Sequence, residues 1–77
     1  MGDLTCLTRR EHDVLAAIAA GATNPAIAAR LFMSERTVET HARQIFIKLG
    51  LYGEGCNKRV MAVLAYLDAA ELDRQVR

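Results

Sequence analysis

The sequence predicts an all-α fold, a compact four-helix bundle that contains a helix-turn-helix. Its composition is the first indication, because alanine and leucine dominate while proline occurs once, which favours helix over strand. Apolar residues also recur with the 3.6-residue period of a helix in four separate segments. Residues suited to the ends of helices stand at the borders of these segments.

The length of 77 residues predicts a single domain over residues 1–77, either a whole protein or a fragment of one. The net charge of +1 does not indicate a basic protein, yet positive charge is concentrated in the middle of the chain. Residues 24–59 carry a net +3, and the segments on either side carry −1 each. A local basic face of this kind can bind a polyanion.

The sequence lacks the residues that several classes of function require. Cys6 and Cys56 have no C-x-x-C spacing and only two histidines accompany them, so no metal and no cofactor are expected. Free thiols, the absence of a signal peptide and the absence of an apolar run of about 18 residues predict a cytoplasmic protein without a membrane partner. The sequence contains no nucleophile–base pair, no carboxylate dyad and no Gly-rich phosphate loop. Neither an enzyme nor a small-molecule site is therefore expected.

The first helix is expected at about residues 8–20, after a lead-in over residues 1–7 that has little structure of its own. Thr8 and Glu11 have the spacing of a capping box, in which each side chain accepts from the other residue's backbone N–H. Leu7 is placed to pack against the apolar run that follows. Glu11 has a second interpretation as the partner of an arginine, and we favour capping. The apolar stripe comprises Val14, Leu15, Ile18 and Ala19.

The second helix is short, at about residues 25–32. Asn24 is the expected N-cap, and Pro25 then occupies the first helical position, where its missing N–H costs nothing. The connection to the next helix is only two to four residues long, which is typical of a helix-turn-helix. The predicted apolar stripe comprises Ile27, Ala28, Leu31 and Phe32.

The third helix, at about residues 35–49, has the clearest borders. Ser34 is a good N-cap, Glu35 suits the positive end of the helix dipole, and Gly50 can adopt the left-handed C-terminal conformation. One side is polar and basic. By itself it indicates only a solvated face, but the short helix in front of it favours a binding face. The opposite, apolar stripe comprises Val38, Ala42, Ile45 and Leu49.

The last helix, at about residues 59–72, is apolar nearly all round. The predicted core stripe comprises Val60, Val63, Leu64 and Leu67. A helix with so wide an apolar surface is usually buried or paired, so we weigh a homodimer against scattered surface apolar residues. The predicted dimer interface comprises Met61, Ala65, Tyr66, Leu67 and Ala69.

The segments LTRREHDVLAAIAAG and NPAIAARLFMSERTVETHARQIFIKLG resemble the DNA-binding domain of LuxR-type (GerE/NarL-like) transcription regulators, the effector half of many response regulators. The resemblance covers about residues 7–67. It implies that the second and third helices form the helix-turn-helix, that the third enters the major groove, and that the fourth dimerises. The matching positions include Glu11, Gly21, Asn24, Ile27, Leu31, Ser34, Val38, His41, Ile45, Lys48, Gly50 and Val63.

The resemblance also implies which residues contact DNA. The base-contact positions correspond to Glu39, Thr40 and Arg43, which lie on or beside the polar face of the third helix. His41 borders the apolar face, and we favour a structural role for it over a base contact. Phosphate contacts are expected from polar or basic residues near the helix ends, namely Asn24, Ser34, Arg36, Thr37 and Lys48.

The chain departs from the family pattern at two places. Pro25 and Ala26 stand where family members often carry a lysine and an acid, so one phosphate contact is expected to be missing. The loop LYGEGCNKR is also several residues longer than usual. Its Lys58 and Arg59 either supply extra phosphate contacts or only begin the last helix.

These observations predict sequence-specific binding of double-stranded DNA in transcription regulation. The chain is expected to be the output domain of a two-component response regulator, a fragment of a larger regulator whose other part senses or accepts phosphate. RNA polymerase is a further expected partner. Two alternatives stay open: a promoter-binding domain like that of a sigma factor, and a helical module that binds an acidic protein. Salt-sensitive, sequence-dependent binding to duplex DNA distinguishes a DNA reader from the protein-binding module.

Overall fold

The computed structural model describes residues 4–51 and 57–75, with side chains through residue 71. The described residues form four helices and no strand, which confirms the predicted all-α fold. The predicted loop residues 52–56, including Cys56, lie outside the described residues. The helices are α1 (Arg9–Ala19), α2 (Asn24–Leu31), α3 (Glu35–Lys48) and α4 (Lys58–Gln75), the last of which runs three residues beyond its predicted end at 72.

The core lies where α1 packs against both α3 and α4, with α2 packed on α3. The periodic apolar positions of the first three helices supply most of it, as predicted. Ser34 caps α3 by accepting from the Thr37 N–H at 3.1 Å. Gly50 follows α3 with a φ of +75°, the left-handed conformation expected of it. The largest fully buried side chains are Val14, Leu15, Ile27, Val38 and Ile45.

The lead-in to α1 takes more part in the fold than the sequence indicated. Leu4 and Leu7 are half-buried and pack against the core. The Leu7 N–H donates to the Leu4 carbonyl at 3.1 Å, which makes a turn just before the Thr8 cap. Partial burial of these two leucines therefore packs residues 4–7 against the core.

The predicted N-cap of α2 was wrong by one residue. Thr23 is the N-cap, and its hydroxyl accepts from the Ala26 N–H at 3.4 Å. Threonine and asparagine cap helices by the same chemistry, so the local pattern did not separate Thr23 from Asn24. Asn24 is the first residue of the helix, and Pro25 still lies in the first turn, where no intrahelical partner is lost.

Phe32 does not belong to the apolar stripe of α2 as predicted. The helix ends at Leu31, and Phe32 has φ +57° and ψ +50°, which turns its side chain away from the core. The ring is 94% exposed. Met33 follows with its N–H donating to the Ala28 carbonyl at 3.0 Å and its side chain against the core. A left-handed residue at this point lets a three-residue turn join α2 to α3.

The core-facing side of α4 agrees with the prediction at one residue of four. Val60, Leu64 and Leu67 are 51%, 53% and 51% exposed, so these three residues of the predicted core stripe face outward, while the fourth, Val63, packs against the core. Ala62 is fully buried instead, and Val63 and Tyr66 pack against the core beside it. A helix that is apolar on every side does not select its inner face by hydrophobicity alone. Ala62 therefore lies at the centre of the side of α4 that packs on α1 and α3.

No helix among the residues that the structure describes is long and apolar enough to cross a bilayer.

Candidate nucleic-acid interface

The exposed side of α3 forms a shallow concavity of ≈ 440 Å³. Burial of Val38, Ala42 and Ile45 on the opposite side of the helix fixes this orientation. The predicted base-contact residues are thereby brought together with one predicted phosphate contact. We call this surface the reading face; it is lined by Arg36, Glu39, Thr40 and Arg43.

The arginines of the reading face keep their hydrogen-bond donors available. Within residues 4–51 and 57–71, neither the Arg36 nor the Arg43 guanidinium makes an ion pair or a hydrogen bond, although Glu39 is four residues from Arg43 on the same helix. A guanidinium offers five N–H donors in a planar fork, which matches guanine O6 and N7 or a phosphate. The reading face can therefore donate to an acceptor-rich ligand.

The Thr40 hydroxyl is less available as a hydrogen-bond donor than that of a free threonine side chain. Its hydroxyl donates to the Arg36 carbonyl one turn earlier, at 3.0 Å. With the proton engaged there, the oxygen can still accept, and the methyl group can contact an apolar edge such as the thymine methyl. Glu39 is acceptor-only when ionised, so it suits a donor such as cytosine N4.

The start of α3 is held by a hydroxyl pair. Ser34 Oγ lies 2.9 Å from Thr37 Oγ1, in addition to accepting from the Thr37 N–H. Both residues are exposed. Ser34 and Thr37, both predicted to contact phosphate, therefore serve first to cap α3. Each hydroxyl can still form a further hydrogen bond with a phosphate oxygen.

Lys48 lies at the opposite end of α3, outside the reading face. Its Nζ donates to Glu11 Oε1 at 2.7 Å, and the side chain is 31% exposed. Glu11, 5% exposed, also completes the predicted capping box: its Oε1 accepts from the Thr8 N–H at 2.9 Å, and the Thr8 hydroxyl accepts from the Glu11 N–H at 3.1 Å. The basic partner foreseen for Glu11 is thus a lysine and not an arginine.

The environment of Glu11 lowers the pKa of its carboxyl. Burial by itself would raise that pKa, but the hydrogen bond from the Lys48 ammonium, the Thr8 N–H and the attraction of the ammonium charge together outweigh it. Glu11 is therefore held as a carboxylate that links α1 to the end of α3.

A second concavity, of ≈ 410 Å³, opens beside the reading face where α2, α3 and α4 meet. Arg59 reaches across it: Nη2 donates to the Ala22 carbonyl at 2.7 Å and Nη1 to Asn24 Oδ1 at 3.2 Å. No pattern in the sequence indicated this contact, because the partners lie 35 and 37 residues from Arg59. We call this surface the junction groove; it is lined by Asn24, Glu39, Ala42, Arg43, Phe46, Lys58 and Arg59.

The predicted dimer residues are divided between two sides of α4. Met61 and Leu67 are exposed, while Ala65 is half-buried. Tyr66 faces α1, with its ring centroid 5.8 Å from that of His12, and Ala69 lines a small pocket next to both rings. Val60 and Leu64, which the sequence placed in the core, share the exposed side with Leu67.

His41 is half-buried at the border of the apolar face of α3, and it does not line the reading face. The structural role favoured for it stays a prediction.

Comparison with known proteins identifies the family of this fold. Residues 5–64 match the luxR family of bacterial regulatory proteins. A transcriptional regulatory protein of Bacillus subtilis, YhcZ, is 58% identical over 43 residues, which are 56% of this chain and 20% of that protein. A nitrate/nitrite response regulator protein homolog of Haemophilus influenzae is 42% identical over 65 residues, 84% of this chain and 29% of that protein.

A probable transcriptional regulatory protein of Mycobacterium tuberculosis, NarL, is 47% identical over 45 residues, 58% of this chain and 21% of that protein. The chain thus spans between a fifth and three tenths of the length of these relatives. No solved structure gives a significant match. The family and these relatives are regulators: the chain belongs to the luxR family of bacterial regulatory proteins and is a helix-turn-helix domain that binds DNA in transcription regulation.

Proposed function

We propose that this chain is the output domain of a response regulator and that it reads double-stranded DNA with α3 in the major groove. The observation that carries the proposal is the reading face, an exposed helix side with two guanidinium groups that nothing else in the described residues engages. The short turn at Phe32 and Met33 holds this helix against α2. The coverage of longer relatives supports a larger parent protein, whose further part receives the signal.

The residues of the reading face have complementary roles in this proposal. Arg43 donates a two-point hydrogen bond to guanine O6 and N7. Thr40 accepts from a base or contacts a thymine methyl, because its proton is held by the Arg36 carbonyl. Glu39 accepts from cytosine N4 and disfavours a phosphate at its position by charge repulsion.

Phosphate contacts position the helix in the groove without reading sequence. Arg36, Ser34 and Thr37 stand together at the start of α3, where backbone N–H groups also favour an anion. Asn24 retains its amide N–H donors while its oxygen accepts from Arg59. Lys48 retains two ammonium protons beyond the one donated to Glu11, so its structural bond does not exclude a phosphate contact.

The proposal includes a homodimer through α4 that reads two half-sites of one operator. Its support is the exposed apolar side of α4, which comprises Val60, Met61, Leu64 and Leu67. We also propose that the protein contacts RNA polymerase. Its proposed location is the cytoplasm, where the bacterial chromosome lies.

A selection from random duplexes tests the proposal. The chain is incubated with the pool at 50 mM and 200 mM salt, and the recovered duplexes are sequenced. We expect an enriched motif with half-site symmetry and weaker recovery at high salt. A matched chain with Arg36→Ala and Arg43→Ala should recover no such motif. Failure of the wild-type chain to enrich any sequence at either salt concentration would reject sequence-specific reading.

A further inference from the structure

The junction groove is continuous with the reading face, because Glu39 and Arg43 line both surfaces. It adds α4 to a surface that is otherwise formed by the helix-turn-helix. Three of its lining side chains are cationic, namely Arg43, Lys58 and Arg59, and Glu39 is its one acidic residue among those described. A polyanion that lies along the reading face therefore meets further positive charge on this side.

The charge of Arg59 is not neutralised by its own contacts. Both of its acceptors, the Ala22 carbonyl and Asn24 Oδ1, are uncharged, and both bonds are partly buried. No carboxylate among the described residues lies within ion-pair distance of it. A cation withdrawn from water without a counter-charge is unfavourable, and an anion in the groove would relieve that cost.

Lys58 stands beside Arg59 as the first residue of α4. It is half-buried and lines the groove, and within the described part of the chain its ammonium makes no hydrogen bond or ion pair. Arg59 anchors the start of α4 to the α1–α2 connection and to α2, so it also sets the position from which Lys58 projects. The two adjacent residues thus have different roles, one internal and one available to a ligand.

We infer that the junction groove is a phosphate subsite, in which Lys58 contacts a backbone phosphate of the duplex that α3 reads. Arg59 is a positioning residue that holds Lys58 in place and adds its charge to the groove. The inference rests on the proposed function, since the phosphate belongs to the same DNA. It extends the interface to the first two residues of α4, which a helix-turn-helix alone does not include.

The salt dependence of binding measures this contact. Each neutralised phosphate contributes about 0.9 to the slope of log Kd against log salt. Lys58→Gln should therefore reduce the rise in Kd between 50 and 200 mM salt by about 3.5-fold on the selected duplex. Lys58→Arg keeps the charge and should keep the wild-type slope. Arg9→Gln removes an equal charge from a side chain that is 90% exposed and lines neither surface, so it should also leave the slope unchanged.

The outcomes separate the subsite from the proposed function. A wild-type chain that binds with salt dependence, together with an unchanged slope for Lys58→Gln, would overturn the subsite alone. An equal loss of slope in Arg9→Gln would overturn the subsite as well, because the slope would then depend on the total charge of the chain and not on the junction groove. Absence of any DNA binding by the wild-type chain would overturn both.

The positioning role of Arg59 needs a separate readout. Arg59→Lys keeps the charge but cannot make the two-point contact with the Ala22 carbonyl and Asn24. In this background Lys58→Gln should no longer change the slope, while circular dichroism confirms that the helices are intact. If Lys58→Gln still lowers the slope by about 0.9 there, Arg59 does not position Lys58.

Discussion

Lys48 and Glu11 are joined by a 2.7 Å hydrogen bond that ties the last turn of α3 to the first turn of α1. The same carboxylate oxygen accepts from the Thr8 N–H, so one atom serves both the cap of α1 and the contact between helices. Since α1 carries much of the core, this bond fixes α3 relative to the core.

Glu11→Gln should lower the free energy of unfolding by about 1.5 kcal/mol, the lower end for a hydrogen bond to a charged group, because Lys48 stays partly exposed. Urea unfolding at pH 7 measures it. Asp13→Asn is the control: this carboxylate pairs with Arg9 and Arg10 at 3.7 Å on the surface, so its loss should change stability by under about 0.5 kcal/mol. Equal effects of the two variants would contradict a special role for Glu11.

The lowered pKa of Glu11 makes its contribution depend on pH. Because the pKa is lower in the folded chain than in the unfolded chain, the stabilisation is complete above the unfolded value and is lost as pH falls through the folded value. The stability difference between wild type and Glu11→Gln should therefore be largest near neutral pH and shrink as the pH falls below about 4.3. Urea titrations at several pH values measure it, and a difference that grows on acidification would contradict the assignment.

Phe32→Gly should stabilise the domain by about 0.5 kcal/mol. Left-handed backbone costs a residue with a Cβ roughly 1–2 kcal/mol, and the extra chain entropy of glycine offsets about 0.5–1 kcal/mol of the gain. Phe32→Ala keeps the Cβ and should be nearly neutral, since the ring is exposed. Urea unfolding compares the three chains. A loss above about 1 kcal/mol in Phe32→Ala would show that the ring packs against something.

The two sides of α4 should respond differently to substitution. Ala62→Leu inserts a larger side chain into the core and should cost about 1–3 kcal/mol of stability. Leu64→Gln lies on the exposed side and should leave thermal stability of the monomer nearly unchanged while weakening the proposed dimer. Sedimentation and thermal melts measure both. A large destabilisation by Leu64→Gln at a concentration where the chain is monomeric would contradict the observed face.

Arg43→Ala should weaken binding to the selected duplex by about 1–3 kcal/mol and relax the preference at one base pair. The physical reason is the loss of the proposed two-point contact, which guanine alone among the bases satisfies well. Gln44→Ala is the matched control, because Gln44 is exposed on the same helix and does not line the reading face. Titrations against duplexes that differ at single positions measure the effect. Uniform weakening on all sequences would indicate that Arg43 contacts phosphate instead.

The sequence by itself determined the features that depend on neighbouring residues. Helical periodicity identified the four helices, and the Thr8–Glu11 box and the Ser34 cap were predicted because each joins groups three residues apart. The polar side of α3 followed from the same period, and the residues proposed to read bases lie on that side. The local sequence did not identify the N-cap of α2, because Thr23 and Asn24 can both cap a helix by the same kind of hydrogen bond.

Only the tertiary structure decided which distant groups meet. Lys48 lies 37 residues from Glu11, and Arg59 lies 35 residues from Asn24, so no spacing rule connects them. It also decided the inner side of α4, because hydrophobicity is nearly equal around that helix and packing on α1 and α3 buries the side that contains Ala62. Local hydrogen bonds and periodicity are encoded within a turn or two of chain, whereas the faces that pack together depend on shape across the whole bundle.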